Sequence, residues 1–447
     1  MTNTDISDNG CWTQLEEPME TLLLDSKHFE EAERISHNNQ AVSRQWSNYL
    51  QALALISFEA WLQEREPSLT VTRESCSVFQ PEVASVIEAV CDLQLGGFRV
   101  CLIPTLRLTA DEVAIPRAVV DIGAYAAHFY VVVALDEEAE VATIRGFLRY
   151  DQLVHYRSQL QPDFDWNYPL PSSWLNTDVN ELLLNLQCLD PQAISLPIVA
   201  NHHLTVLPRQ RAEILAVLPQ ALEKPLWEVL TWEQAVDVLT QPHLLRWLYQ
   251  YQTEPTPARH QELITALGDL LQILTRKAIN VGLWMERRLD DLAAAVSWQI
   301  VPEAALVRET RRFDDQSIVQ TLGELLEESL ELEERPPEHA GRVYQDIALT
   351  DGTYLRLYAV AWPLDGQNWT LVIIAGARPG DLPPYGLQLR VSDQTGVLVE
   401  ETLAQDQQLA YLFAQVEGSH DDLFLVTLRS ASGATQESEP FAFPGGF

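Results

Sequence analysis

Lysine is nearly missing from this chain. Among 447 residues only Lys27, Lys224 and Lys277 occur, and none follows a glycine. The Gly-Lys-Ser/Thr end of a phosphate-cradling loop is therefore absent, which argues against a Walker-type nucleotide hydrolase. Lys277 stands beside Arg276 and Lys224 precedes Pro225, so these read as surface lysines rather than Schiff-base nucleophiles. Positive charge is scarce as a whole. Lys plus Arg is 29 against 64 Asp plus Glu, a formal charge of −35. Broad contact with nucleic acid or an anionic membrane needs clustered basic residues, and the field here has the wrong sign. The pairs Arg287-Arg288 and Arg311-Arg312 lie among acids and read as intrahelical ion pairs.

Cysteine is also sparse. Cys11, Cys76, Cys91, Cys101 and Cys188 make an odd set with no Cys-x-x-Cys, which excludes a zinc knuckle and a thioredoxin-like motif. Cys91 and Cys101 flank the Gly96-Gly97 turn and approach each other if a hairpin forms there; buried free thiols are the expectation. No apolar run reaches the roughly 20 residues that span a bilayer. The first ten residues, MTNTDISDNG, carry neither the basic nor the apolar part of a secretory signal. These absences predict a soluble, cytoplasmic protein with no membrane and no nucleic-acid partner.

Apolar residues make up 47%, which suits folded domains and not an acidic disordered tail. Residues 1–26 look loosely ordered. Ser26 is placed to cap a helix over 27–36. A second helix is predicted over 40–65, where Val42, Trp46, Leu50, Leu53, Ala54 and Phe58 follow an amphipathic rhythm and Pro67 stops it. From residue 83 the period shortens. A hairpin over 83–103, or a helix over 83–93, is followed by strands at 113–122, 127–135 and 141–150, read as an antiparallel sheet. The segment 161–173 reads as an ordered loop and 176–188 as a short helix. Residues 208–330 read as helical, with the longest pattern over 260–298.

The charge run and Pro336-Pro337 in 331–340 mark a linker. After it, eight short strands (342–349, 353–362, 369–375, 387–392, 397–403, 409–416, 423–428, 435–442) follow at about ten-residue spacing, the pattern of a β-sandwich. In the fourth, Leu387, Leu389 and Val391 should face the core while Gln388, Arg390 and Ser392 face water. The predicted organisation is an α+β multidomain chain. It comprises an α+β domain of N-terminal helices plus antiparallel sheet (1–205), a helical domain (206–330), the linker (331–340) and an all-β sandwich (341–447).

Candidate chemistry is thin. His202-His203 is the only histidine pair, and adjacent strand residues point to opposite faces, so it does not ligate one metal. Ser419, His420 and Asp421-Asp422 sit in one predicted turn, where turn chemistry explains them without a triad. Cys188 lies in an apolar run and reads as buried, and Cys11 lies in the loose N-terminus. The acidic pairs Glu137-Glu138, Asp290-Asp291, Asp314-Asp315, Glu327-Glu328 and Glu333-Glu334 read as solvated faces. No catalytic, metal or cofactor residue is assigned. Twelve tryptophans spread along the chain read mostly as packing, and some as anchors of a protein-binding surface.

The stretches GRVYQDIALTDGTYLRLYAVAWP and NWTLVIIAGARPGDLPPYGLQLRVSDQTGVLVEE resemble the end of a cyanobacterial family known as domain of unknown function 1822. The carrying residues are Leu382-Pro383-Pro384 and the step from Gly386 through Leu387, Leu389 and Val391 to Asp393. The stretch Ile279-Asn280-Val281-Gly282-Leu283-Trp284, followed by Trp298-Gln299, is similar to a helical segment of that family. The likeness covers nearly the whole chain and brings no activity and no functional residue. It implies a regulatory setting beside caspase-like CHAT proteases and sigma factors. Three expectations are weighed: a non-enzymatic regulatory or scaffold protein binding a partner with a basic surface, a hydrolase-like enzyme holding His128, His155 or a buried carboxylate of shifted pKa in a pocket, or a protease substrate cut in 331–340.

Overall fold

The computed structural model describes residues 20–41, 44–198, 207–302, 320–326, 335–364, 367–378, 381–405 and 411–444. The fold is mixed α+β. The chain forms two compact units, one of residues 1–201 with 224–240, the other of 202–223 with 241–447. The predicted 331–340 segment lies within the second, and its residues 331–334 fall outside the described ones. No described helix is long and apolar enough to cross a membrane.

The first unit is built on strands β1 (Glu20–Leu23), β2 (Val71–Thr72), β3 (Val90–Leu95), β4 (Phe98–Thr105), β5 (Glu112–Pro116), β6 (Phe129–Asp136), β7 (Val141–Arg149) and β8 (Asn167–Pro171). Six of them form one sheet in the order β1-β7-β6-β4-β3-β2, and β5 pairs with β8. The predicted antiparallel sheet is corrected at its centre: β4 and β6 run parallel, Val100 beside Phe129 through Thr105 beside Ala134. A parallel pair needs a long crossover. The segment predicted as one strand at 113–122 supplies it, as β5 followed by a short helix Arg117–Asp121. The hairpin reading of β3 and β4 holds, whereas the helix near 83 is only the turn Pro81–Ala84.

Helix Ser26–Ser36 is capped by Asp25 and not by Ser26. The Asp25 carboxylate accepts from the Lys27 and His28 amides at 3.0 and 3.2 Å. Helix Gln45–Arg65 is not a one-sided amphipathic helix. Ala52, Leu53, Ala54 and Leu55 all have 0% exposure, so it is enclosed on every side, while Trp46 stays 55% exposed. Its Ser57 hydroxyl turns back to the Leu53 carbonyl, the usual way to bury a serine inside a helix.

The second unit opens with helices Leu207–Val217, Pro242–Thr253 and Pro257–Thr275. The long pattern read over 260–298 ends at Thr275. Beyond it Ile279–Asn280 is β9, Val281–Trp284 is a single 3-10 turn, and Gln299–Ile300 is β10. The Asn280 side chain accepts from the Gly282 amide, and Arg287 and Ser297 adopt φ of 57° and 70°, which no helix allows. The remaining strands are β11 (Gly341–Ala348), β12 (Tyr354–Pro363), β13 (Asn368–Gly376), β14 (Gln388–Ser392), β15 (Val397–Thr402), β16 (Tyr411–Ser419), β17 (Leu423–Arg429), β18 (Thr435–Glu437) and β19 (Phe441–Ala442). One sheet has the order β10-β11-β12-β13-β16. The other is β15-β14-β17-β19-β9, with β18 on β17.

The two sheets share one core. Leu357, Ala359, Leu371 and Ile373 of the first belong to the same buried cluster as Leu389, Val391, Val426 and Leu428 of the second. Ile279, Val281, Trp284 and Trp298 complete it, so the segment read as helix closes the sandwich instead. The sandwich is not all-β on its outside. Tyr358, Val360, Trp362, Val372 and Ile374, on the far face of the first sheet, cluster with Leu322, Leu325 and Leu326. On the second sheet Arg390 and Ser392 do not face water. Both bind Asp269 of helix Pro257–Thr275, and Ser392 is 1% exposed.

Candidate interaction surface

The antiparallel register of β12 and β13 sets Arg356 opposite Gly376, so the start of β12 and the end of β13 lie side by side. On the outward side of β12 sits Arg356. Its Nε and Nη2 donate to the two Asp346 oxygens at 2.7 and 3.0 Å, a fork-to-fork pair. That hydrogen-bonded carboxylate pushes the guanidinium pKa further up, so its charge is permanent. The guanidinium also lies 5.2 Å from the centre of the Tyr344 ring. The next turn of chain brings a second arginine: Arg378 approaches Asp346 at 3.6 Å and covers the Tyr354 ring at 5.1 Å. Burial pushes the Tyr358 hydroxyl up to about 12, so it stays neutral.

From Arg378 the chain crosses to the second sheet. The Asp381 amide donates to the Arg378 carbonyl, and the Gly386 amide to the Leu403 carbonyl. Gly386 has φ of +85°, and a Cβ there would stand 2.7 Å from that of Ala431, so glycine is required at this crossing. The crossing leaves Leu382 90% exposed, Tyr385 40% and Tyr354 55%. Large apolar tips, tyrosine rings and a half-exposed arginine thus gather at one end of the sandwich. Asp351 lies in the same hairpin as Tyr354. The Ser430 and Ser432 hydroxyls hold its carboxyl well below the usual range, so it remains ionised. This set offers stacking faces, apolar tips and fixed charges, which is the chemistry of recognition.

The residues singled out in the sequence are not brought together here. His202-His203, Cys11, Trp12, Arg311-Arg312, Asp314-Asp315, Glu327-Glu328 and Glu333-Glu334 lie outside the described residues. Ser419 donates from its amide and hydroxyl to Asp422, at 2.7 and 2.9 Å, while the His420 ring meets the Phe443 carbonyl. The three are turn residues with separate partners. His128 accepts from the Arg99 amide at 2.8 Å, and His155 is exposed on a short helix edge-on to Tyr156. Cys188 is exposed, contrary to the reading from its apolar run. Cys76, Cys91 and Cys101 are buried free thiols, and burial pushes Cys76 up to about 12. Asp290 caps the helix Asp291–Ala295, and Glu137-Glu138 lie in the turn between β6 and β7. Arg288 pairs with Glu286 and Arg287 donates to the Val301 carbonyl, in a segment that is not α-helical. Among the described residues no group of three or more His, Cys, Asp or Glu is arranged to hold a metal ion.

Six of the described tryptophans are packing residues. Trp61, Trp247, Trp284, Trp298, Trp362 and Trp369 are each at most 4% exposed. Another polar cluster went unnoticed in the sequence. Asp121 accepts from Arg117 at 2.9 Å and from the Tyr168 hydroxyl at 3.1 Å, and Arg117 stacks 4.1 Å from the Trp232 ring. Arg378 and Tyr354 were missed as well, because their stacking depends on a strand register. The one local signal was the apolar Leu382 set before two prolines in a turn.

No curated protein and no solved structure matches the chain. The family described as Protein of unknown function (DUF1822) matches residues 22–441, nearly the whole length, and the chain belongs to that family.

Proposed function

We propose that this chain is a non-enzymatic regulatory or scaffold protein of the cytoplasm, engaging a protein partner through its sandwich and its acidic surface. The observation that carries this reading is the exposed set of Leu382, Tyr354, Tyr385 and Arg378 at one end of the sandwich. Tyrosine and arginine are the residue types that dominate binding hot spots, and a leucine at 90% exposure gains most from being covered. The charge of −35 favours a partner with a basic surface, and a sigma factor or CHAT-type protease is the class that the family's setting suggests.

The test is capture from native cell extract on purified full-length protein, with bound proteins identified by mass spectrometry. The variant Leu382→Asp/Tyr354→Ser serves as the matched bait. A stoichiometric basic protein should be retained by the parent and lost at least ~10-fold on the variant. Its affinity should fall as salt rises from about 50 to 200 mM. Thermal midpoints of the two baits should agree, since both side chains are already exposed. Equal retention on both baits, or no specific partner on either, overturns the reading.

A further inference from the structure

Between the two sheets of the sandwich lies a cleft of about 270 Å³, bordered on β11 by Gln345 through Ala348. Its floor is Trp298, Leu357 and Leu428, each at most 3% exposed and part of the shared core. Two registers set its walls. Gln345 lies opposite Leu357 in the β11–β12 pair, and Gln436 lies opposite Leu428 in the β17–β18 pair. Directly opposed antiparallel residues point to one side of their sheet. Each sheet therefore presents a leucine with an amide beside it to the same cleft.

Both amides are tied to backbone. The Gln345 Nε2 group donates to the Val296 carbonyl, and that of Gln436 to the Glu437 carbonyl. Each amide commits one of its two N–H groups to backbone, and its oxygen remains an acceptor. One rim of the cleft is acidic. Glu437 and Glu439 line the rim and share Arg276, at 3.3 and 3.9 Å. At this rim two carboxylates against one guanidinium leave one negative charge. Asp346 also borders the cleft, but its carboxylate is turned to Arg356 and Arg378. None of the described lining residues is a cation.

From this we infer that the cleft is a binding site for a primary ammonium carried on an apolar body. The body lies on Trp298 and the leucines, and the ammonium donates to the glutamine oxygens and the rim carboxylates. An apolar body needs the dry floor, an ammonium donates to the amide oxygens, and its positive charge meets the rim carboxylates that Arg276 alone does not balance. The inference goes beyond the protein-binding reading and does not depend on it. A free amine and a lysine side chain of another protein share this chemistry.

The test uses purified full-length protein and ligand-observed NMR titration with phenethylamine. The neutral 2-phenylethanol is the isostere. Phenethylamine should saturate one site at least about 10-fold more tightly than the alcohol. Gln436→Trp, at an exposed β18 position, should fill the cleft and abolish saturable binding. Glu439→Gln should weaken it about 3- to 5-fold with an unchanged thermal midpoint. Competition separates the two sources. Displacement of phenethylamine by acetyl-Ala-Lys-Ala-amide, and not by its norleucine counterpart, points to a protein-borne lysine. No displacement by either points to a free amine. Equal affinity for amine and alcohol, no saturable binding, or full binding by Gln436→Trp overturns the site. No partner protein enters this measurement, so its failure is distinct from failure of the capture experiment.

Discussion

At the scale of the residue, Asp269 shows how a side chain acquires its role from what lies across from it. Nothing local marks this aspartate in Leu267-Gly268-Asp269-Leu270. In the fold it is 3% exposed and holds Arg390 and Ser392, each at 2.7 Å. Burial pushes its carboxyl up while the two hydrogen bonds pull it down, and burial wins. Removing one member of a buried ion pair strands the other. Asp269→Ala should therefore cost about 3–5 kcal/mol in urea unfolding, whereas an exposed acid such as Asp381 should cost nothing measurable. His128 gives a pH signature. Burial and the neighbouring Arg99 push its pKa down in the folded state. The unfolded chain protonates it first, near pH 6.5. Below that pH the unfolded state binds more protons, so stability is full above about 6.5 and falls as pH drops toward the folded-state value. His128→Asn should make the stability lost between pH 7.5 and 5.5 smaller. It should not abolish the loss, because burial and Arg246 lower His243 as well.

At the scale of the element, the strands after residue 341 were legible because each is a short run between turn signals at about ten-residue spacing. The stretch 279–301 was not. Its Ile, Val and Trp residues satisfy a helical count, yet they are spaced by a cap, a 3-10 turn and two left-handed residues, and they bury into a sheet core. Gly341 reports on this packing. A Cβ there would stand 2.5 Å from Trp284 Cβ and 2.9 Å from the Met285 amide. Gly341→Ala should destabilise by about 1–3 kcal/mol. Gly268, inside helix Pro257–Thr275, has nothing within 4 Å of such an atom. Gly268→Ala should stabilise by about 0.5–1 kcal/mol, because alanine loses less backbone freedom in a helix. Denaturant midpoints of the two variants should shift in opposite directions.

At the scale of the whole molecule, the net charge of −35 sets the terms of any encounter. It repels polyanions and steers basic surfaces in, so association with a basic partner should slow markedly with added salt, while dissociation from the Leu382 end should respond little. A rate set by salt at both steps, or at neither, speaks against the proposed division between steering and anchoring. The fold itself was legible as mixed α+β, and the family likeness drawn from Gly386 to Asp393 and from Ile279 to Trp284 holds over residues 22–441.

What the sequence by itself determined is therefore local or additive. Strand periodicity, turn residues, the Leu387-Leu389-Val391 inward face, the lack of phosphate-loop and Cys-x-x-Cys motifs and the sign of the charge all follow from neighbours a few residues apart. The parallel pairing of β4 with β6, the enclosure of helix Gln45–Arg65, the turning of Arg390 and Ser392 onto Asp269, the stacking of Arg378 on Tyr354 and the amide-walled cleft were decided only in three dimensions. Each depends on which distant segment covers a face, and a polar residue reads as solvated until the element that covers it supplies a partner.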